Sequence, residues 1–209
     1  MGKQFAACAS VTLVCGATGT GKTSFAVRYL LNTRADCVFV FDPEGEFAAR
    51  LRVPPARSPI ELESQLLRGW VCFDPSQIFG GDLRGGFAFF CEWAIRMSER
   101  MASKRKIFVV DELWRYCHPG KIPKELAEIV NAGRGRRLEL LAIIQRPNRI
   151  HADILSQVTE FVGFHLSSSS SLDTIEHEFE ISPQDMRHLP KFHFIGKDMV
   201  QGGTFRGSL

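Results

Sequence analysis

Residues Gly16 to Thr23 read GATGTGKT and lie between an apolar run, Val11 to Cys15, and a helix-like run, Ser24 to Leu31. The stretch fits G-x-x-x-x-G-K-[ST], the phosphate-binding loop pattern, and nothing else in the chain narrows the possible folds as much. Glycines at these positions let the backbone curl until consecutive N–H groups point inward at phosphate oxygens, and the following helix adds the positive end of its dipole. In such a loop Gly16, Ala17, Thr18, Gly19, Thr20 and Gly21 form the cradle. Lys22 neutralises the β- and γ-phosphates, and Thr23 ligates Mg²⁺ through its hydroxyl. A ligand-free glycine-rich turn could carry the same letters; the strand-like run before and the helix-like run after argue for the cradle.

A chain of 209 residues suits one α/β domain covering residues 1–209. A hydrophobic share of 44% with 23% charged residues excludes a disordered or fibrous class and fits a soluble globular protein. The net charge of +3 is too small to argue for nucleic acid by itself, so a basic surface must be sought locally. Cys8, Cys15, Cys37, Cys72, Cys91 and Cys117 contain no C-x-x-C pair, and several sit in apolar strand-like runs. They read as small buried hydrophobes in a reducing cytosol, not as a disulfide frame or zinc site. The richest apolar stretch, Phe87 to Ile95, is short and broken by Glu92, and the N-terminal run carries one Lys in a mixed sequence. Neither a membrane span nor a signal peptide is expected.

In chain order, the pattern predicts a strand over Val11–Cys15, a helix over about Lys22–Leu31 and a strand over Cys37–Phe41, ending in the acidic turn Asp42-Pro43-Glu44-Gly45-Glu46-Phe47. Ligands meet a parallel sheet at the ends of such strands, which places Asp42, Glu44 and Glu46 near a nucleotide; a solvated acidic turn is the bland alternative. Ser58-Pro59-Ile60-Glu61 is a capped helix start, ending near Arg68-Gly69. Trp70–Phe73 is a short strand, and its place before the next acidic strand leaves room for an extra strand beside the first. Ser76 to Gly86, with paired glycines, reads as a mobile loop. Phe87–Met101 reads as a helix trailing into Arg96, Arg100, Lys104, Arg105 and Lys106, a basic run that is either solvated or in contact with DNA.

Lys106 to Leu113 reads KIFVVDEL, an apolar β-branched strand ending in adjacent carboxylates. With the phosphate loop upstream, Asp111 suits Mg²⁺ ligation and Glu112 suits orienting or deprotonating a water. Trp114 to Lys121 is a loop of aromatics between cations, fit for base and phosphate contact or for plain packing. Pro123–Ala132 reads as a helix stopped by Gly133, followed by a charged turn, Arg134-Gly135-Arg136-Arg137, and a buried strand, Leu138–Ile144. Gln145 at that strand's tip is placed to sense a γ-phosphate by hydrogen bond.

The ordered set GATGTGKT, FDPEGEF, IFVVDE and GRGRRLELLAIIQRP resembles the FtsK–HerA superfamily of DNA-pumping ATPases. Within it the chain looks most like the genome-packaging ATPases of tailless, double-jelly-roll icosahedral DNA viruses, over about Val11 to Arg206. The phosphate loop alone is shared by many families; the four motifs in this order are far more specific. The resemblance implies a P-loop NTPase fold of the RecA/ASCE kind, with a mostly parallel central sheet flanked by helices and a C-terminal hairpin. It implies ATP as substrate with Mg²⁺, nucleotide binding by Gly16 through Thr23, and metal and water chemistry by Asp111 and Glu112. It also implies a sensing role for Gln145, a part for Glu46 in the acidic turn, and an in-trans arginine finger eleven residues before Gln145, which is Arg134. The chain departs from the pattern at Arg137, where Gly commonly precedes the strand, so Arg136 and Arg137 stay open as alternative fingers. A finger supplied by a neighbour calls for a homo-oligomeric ring, a hexamer by resemblance. Double-stranded DNA would be gripped through its backbone, a capsid or vertex protein would be the partner, and the location would be the host cytoplasm, attached to a virion vertex.

Further along, His151–Val158 reads as a short helix, Glu160–His165 as a strand, Ser167–Ser171 as a flexible serine run and Leu172–Phe179 as a helix. Ser182-Pro183-Gln184-Asp185 is a second capped start, and Phe192–Gly196 with Gly203–Arg206 a closing hairpin. His165, His177, His188 and His193 lack metal-ligand spacing. Two other enzymes and one binding protein compete with this reading: a small P-loop kinase, a filamentous-phage-type assembly ATPase, and a non-catalytic nucleotide-dependent DNA-binding protein. Glu112 and Gln145 favour hydrolysis over phosphoryl transfer, and the absence of N-K-x-D disfavours a GTPase.

Overall fold

In the computed structural model, residues 11–209 are described; Cys8 and the N-terminal run in which no signal peptide was expected lie outside them. Eight strands form one mixed sheet: β1 (Val11–Cys15), β2 (Cys37–Phe41), β3 (Trp70–Phe73), β4 (Lys106–Val110), β5 (Leu138–Ile144), β6 (Val158–Phe164), β7 (His193–Asp198) and β8 (Thr204–Ser208). The spatial order is β3-β2-β4-β5-β1-β6-β7-β8. The pairs from β3 through β6 are parallel, and β7 and β8 are antiparallel, closing the sheet as a hairpin. The extra strand beside β1 is β5, inserted between it and β4, whereas β3 lies at the edge beyond β2.

The strands β1, β2, β4 and β5 are buried along their whole length, as β-branched and aromatic runs with both faces covered should be. Alternate residues supply the two faces. Val14, Val40, Val109 and Ile143 face α1 (Lys22–Asn32), through Phe25 and Leu30, and α2 (Glu46–Leu51), through Phe47. Leu13, Phe41, Phe108 and Leu140 belong to the larger cluster on the other face. That face is closed by α3 (Pro59–Leu66), α4 (Ser76–Phe79), α5 (Leu83–Arg100), α6 (Lys124–Arg136), α7 (Ala152–Leu155), α8 (Ser169–Phe179) and α9 (Pro183–Arg187). Aromatic stacking is dense there, with Phe87 lying on Tyr116 at 4.5 Å between centroids.

Three local expectations are corrected. Gly133 does not stop its helix: α6 runs on to Arg136, and an added Cβ at Gly133 would run into the Leu138 carbonyl, so this glycine lets the helix approach the sheet closely. The helix ends instead at Arg137, whose φ of 52° is the left-handed cap conformation. A glycine is the usual occupant of such a position, which accounts for the Gly of the family pattern there. Residues 76–86 are not a loop: α4 and the first turn of α5 fill them, and the Asp82 carboxylate accepts from the Gly85 N–H at 2.9 Å to cap α5. The serine run is largely helical too, since α8 begins at Ser169. The capped starts are as expected, with Ser58 Oγ accepting from the Glu61 N–H and Ser182 Oγ from the Gln184 N–H.

Candidate active site

Because six strands run the same way, their carboxyl ends share one edge, and the segments after β1, β2, β4 and β5 meet there around a cleft of about 520 Å³. The phosphate loop is fixed from both sides. Gly16 N–H donates to the Ile144 carbonyl of β5 at 3.3 Å, and Ala17 N–H to the His165 carbonyl beyond β6 at 2.9 Å. Gly21, at φ 117°, takes the bend into α1, and an added Cβ there would lie 2.6 Å from the Leu209 side chain. Lys22 is only 7% exposed. Its ammonium donates to the Ala17 carbonyl at 3.0 Å, which also accepts from Thr20 Oγ1 at 2.8 Å. Thr18, Gly19, Gly21, Lys22 and Thr23 line the cleft.

Asp111 and Glu112, directly after β4, face the loop across the cleft. Burial, reinforced by the neighbouring Glu112 charge, pushes the Asp111 carboxyl up to about 6, against the Glu112 N–H and Lys22, which favour its ionised form. Glu112 sits at φ 51°, a left-handed conformation that costs a non-glycine residue roughly 1 kcal/mol or more. Its carboxylate accepts from the Trp114 indole N–H and from the Gln145 side-chain amide. Gln145 Oε1 in turn accepts from Thr18 Oγ1 at 3.1 Å. The side chain at the tip of β5 therefore joins the phosphate loop to the second acid of β4.

The acidic turn forms the third wall. Asp42 is buried and accepts from the Ala48 N–H at 2.7 Å. Burial raises its pKa although the N–H groups of Glu46, Phe47 and Ala48 lower it. Glu46 pairs with Arg50 at 2.8 Å and Glu44 with Arg115 at 2.6 Å, so the outer rim carries neutralised pairs. Thr23 and Asp111 offer the hard oxygen donors that suit Mg²⁺, and both line the cleft beside Lys22. Among the described residues, no group of three His, Cys, Asp or Glu side chains could hold a metal ion.

Gly16 to Thr23, Glu46, Asp111, Glu112 and Gln145 are thus gathered at one edge, and Arg134 is not. It is exposed near the end of α6 and lines a small polar recess with Val11 and Leu138, the first residues of β1 and β5. The rise of β5 separates it from Gln145 by about 20 Å. Arg136 is engaged by Glu99 at 3.0 Å and Glu128 at 2.8 Å, and Arg137 donates to the Ser103 carbonyl at 2.8 Å. Sequence reading missed Arg50, Arg115, Phe192 and the grip of Trp114 on Glu112. Only Arg50 carried a signal, its i,i+4 spacing from Glu46 on a helix face. The loop Trp114–Lys121 is packed, with Tyr116 and Cys117 buried. The described cysteines, Cys15, Cys37, Cys72, Cys91 and Cys117, are all free thiols in the interior. No described helix is long and apolar enough to cross a membrane.

No protein-family model matches the chain. No curated protein sequence matches it either. Solved structures do. The genome-packaging NTPase B204 from Sulfolobus turreted icosahedral virus 2, in complex with AMP, superposes with a TM-score of 0.76 at 15% identity, covering 96% of this chain and 97% of that one. VirB4 of Thermoanaerobacter pseudethanolicus gives 0.70 at 13% identity, over 95% of this chain and 88% of that one. The N-terminal domain of zonular occludens toxin from Neisseria meningitidis gives 0.53 at 13%, over 97% and 95%. The likeness in three dimensions shows the fold: the chain has the P-loop fold of the genome-packaging NTPase B204 and of VirB4.

Proposed function

We propose that this chain is an ATPase whose hydrolysis drives double-stranded DNA into a preformed viral capsid, as one subunit of a ring. The observation that carries the reading is the Thr18–Gln145–Glu112 chain of contacts beside Lys22 and Asp111. These are the parts a hydrolytic site requires, on three adjacent strand tips. Lys22 would exchange its hold on the Ala17 carbonyl for the β- and γ-phosphate oxygens. Thr23 and Asp111 would hold Mg²⁺, which supplies neutralisation of the charge on the phosphate oxygens. Gln145 is in reach of a γ-phosphate docked in the loop. Drawing its amide away from Glu112 leaves that carboxylate to orient and deprotonate the attacking water. Likeness to B204 supports the packaging assignment, since B204 is a genome-packaging NTPase solved in complex with AMPPCP.

Arg134 completes the proposal. Standing about a strand's length from its own cleft, it can act only on the site of another copy. It makes no ion pair among the described residues, in contrast to Arg136. That favours Arg134 as the finger and a closed ring, by resemblance a hexamer, through which DNA backbone passes. The decisive experiment measures phosphate release with and without double-stranded DNA while determining the mass of the assembly. A ring-sized species with DNA-stimulated turnover is expected, and Arg134→Ala should keep ATP binding while losing about three orders of magnitude in rate. Normal turnover in Arg134→Ala with a dead Arg136→Ala or Arg137→Ala would move the finger. Turnover by a monomer would remove the need for one.

A further inference from the structure

Resting on the reading of the cleft as a nucleoside triphosphate site, we infer that Phe192 is the platform on which the nucleobase stacks. Among the described residues, five non-glycine residues have left-handed φ: Arg52, Glu112, Arg137, Glu180 and Phe192. Arg52, Arg137 and Glu180 end helices, where that conformation is an ordinary cap. The other two, Glu112 and Phe192, both line the cleft. For a bulky residue the conformation at φ 65° is strained, and strain kept at a site points to use there.

The surroundings hold this strained residue against the cradle. Phe192 N–H donates to the carbonyl of Thr20 at 3.2 Å, and its own carbonyl accepts from Leu209 N–H at 3.0 Å. The ring edge comes within 3.0 Å of where a Cβ on Gly21 would be, so the aromatic sits against the start of α1. The side chain is nevertheless 44% exposed. Leu31, Ile60, Leu67, Ile78 and Val200 are also exposed, but none of them lines the cleft. Lys191 places its ammonium over the ring, 4.9 Å from the centroid, a cation–π contact that covers one face, so a base would stack on the other. With its triphosphate on the phosphate loop, a nucleotide leaves its base beyond the loop's end, and an apolar π surface in water there gains most by being covered with another ring. Stacking uses a face that every base possesses, so the contact confers affinity with little choice among purines.

The test compares Mg²⁺–ADP with Mg²⁺–tripolyphosphate by calorimetric titration of the full chain. Phe192→Gly removes the ring at a backbone angle that glycine accepts readily, and Phe192→Trp keeps a stacking surface. Phe192→Gly should weaken ADP on the order of tenfold while leaving tripolyphosphate unchanged, and Phe192→Trp should bind ADP as the parent does. Unchanged ADP affinity in Phe192→Gly, or an equal loss of both ligands, would overturn the inference. If the parent binds neither ligand, or Lys22→Ala binds both as well as the parent, the nucleotide-site reading itself fails and takes the platform with it.

Discussion

The two edges of the sheet treat charge in opposite ways. At the amino edge, the charges packed between elements meet partners, though among the described residues the exposed Arg134 does not. Arg105 grips Glu139 with two bonds, at 2.6 and 2.8 Å, and adds Thr33 Oγ1 at 3.0 Å. Lys106, fully buried, donates to the carbonyls of Ser98 and Met101 at the end of α5. At the carboxyl edge, Lys22 touches only a backbone carbonyl, Asp111 is held up to about 6 by burial beside Glu112, and Glu112 stands at a strained angle. One edge spends its charges on cohesion, and the other holds them in a form that a polyanion and a divalent cation would relieve. Stability and chemistry should therefore separate along the strands, a division that substitutions can break.

The largest expected effect is catalytic. Lys22→Ala and Glu112→Gln should each lower ATP turnover by at least about a hundredfold, to the point of abolishing it, while thermal melting stays near the parent's. Residual turnover near the parent level in either variant would end the division. At the other edge, Arg105→Ala strips a buried carboxylate of its partner and should cost about 3 kcal/mol in urea unfolding, with turnover per folded molecule retained.

Asp111 gives a pH signature of the carboxyl edge. Its folded pKa of about 6 lies above the ordinary 3.8, so its contribution to stability is fully present below about 3.8 and is lost as pH rises through about 6. With chelator present and no nucleotide, Asp111→Asn should match the parent near pH 4 and exceed it at pH 8 by on the order of 2 kcal/mol. A pH-independent difference between the two melting curves would contradict this. The smallest effect is at the rim: Glu46→Ala breaks a half-exposed pair with Arg50 and should change unfolding free energy by under about 0.5 kcal/mol.

Much of this architecture was readable from local pattern. The strands β1, β2, β3 and β5 carry predominantly apolar runs, broken by Thr12 in β1 and Glu139 in β5, and have the bounds their sequences imply, because parallel strands covered on both faces need no alternation. The loop and the acids were legible for a different reason: their chemistry demands fixed residue types at fixed spacing. What failed was glycine. Gly133 and the pairs within 76–86 read as punctuation in sequence, yet Gly133 serves close helix–sheet contact and Gly85 lies in a capped first turn. Local sequence cannot distinguish a glycine that frees the chain from one that makes room for a neighbour. Phe192 was invisible for a related reason, since its position at the cleft depends on the Thr20 carbonyl, a segment far away in sequence.

The insertion of β5 between β1 and β4 has a mechanical consequence. Gln145 touches Thr18 on one flank and Glu112 on the other, so neither wall of the cleft can shift without the amide registering it. In the proposed site, a displacement of a γ-phosphate would be transmitted within one side chain's length to Glu112, and along β5 toward the α6 terminus where Arg134 stands. In a ring, that strand would be the rod by which one subunit reports its occupancy to the next.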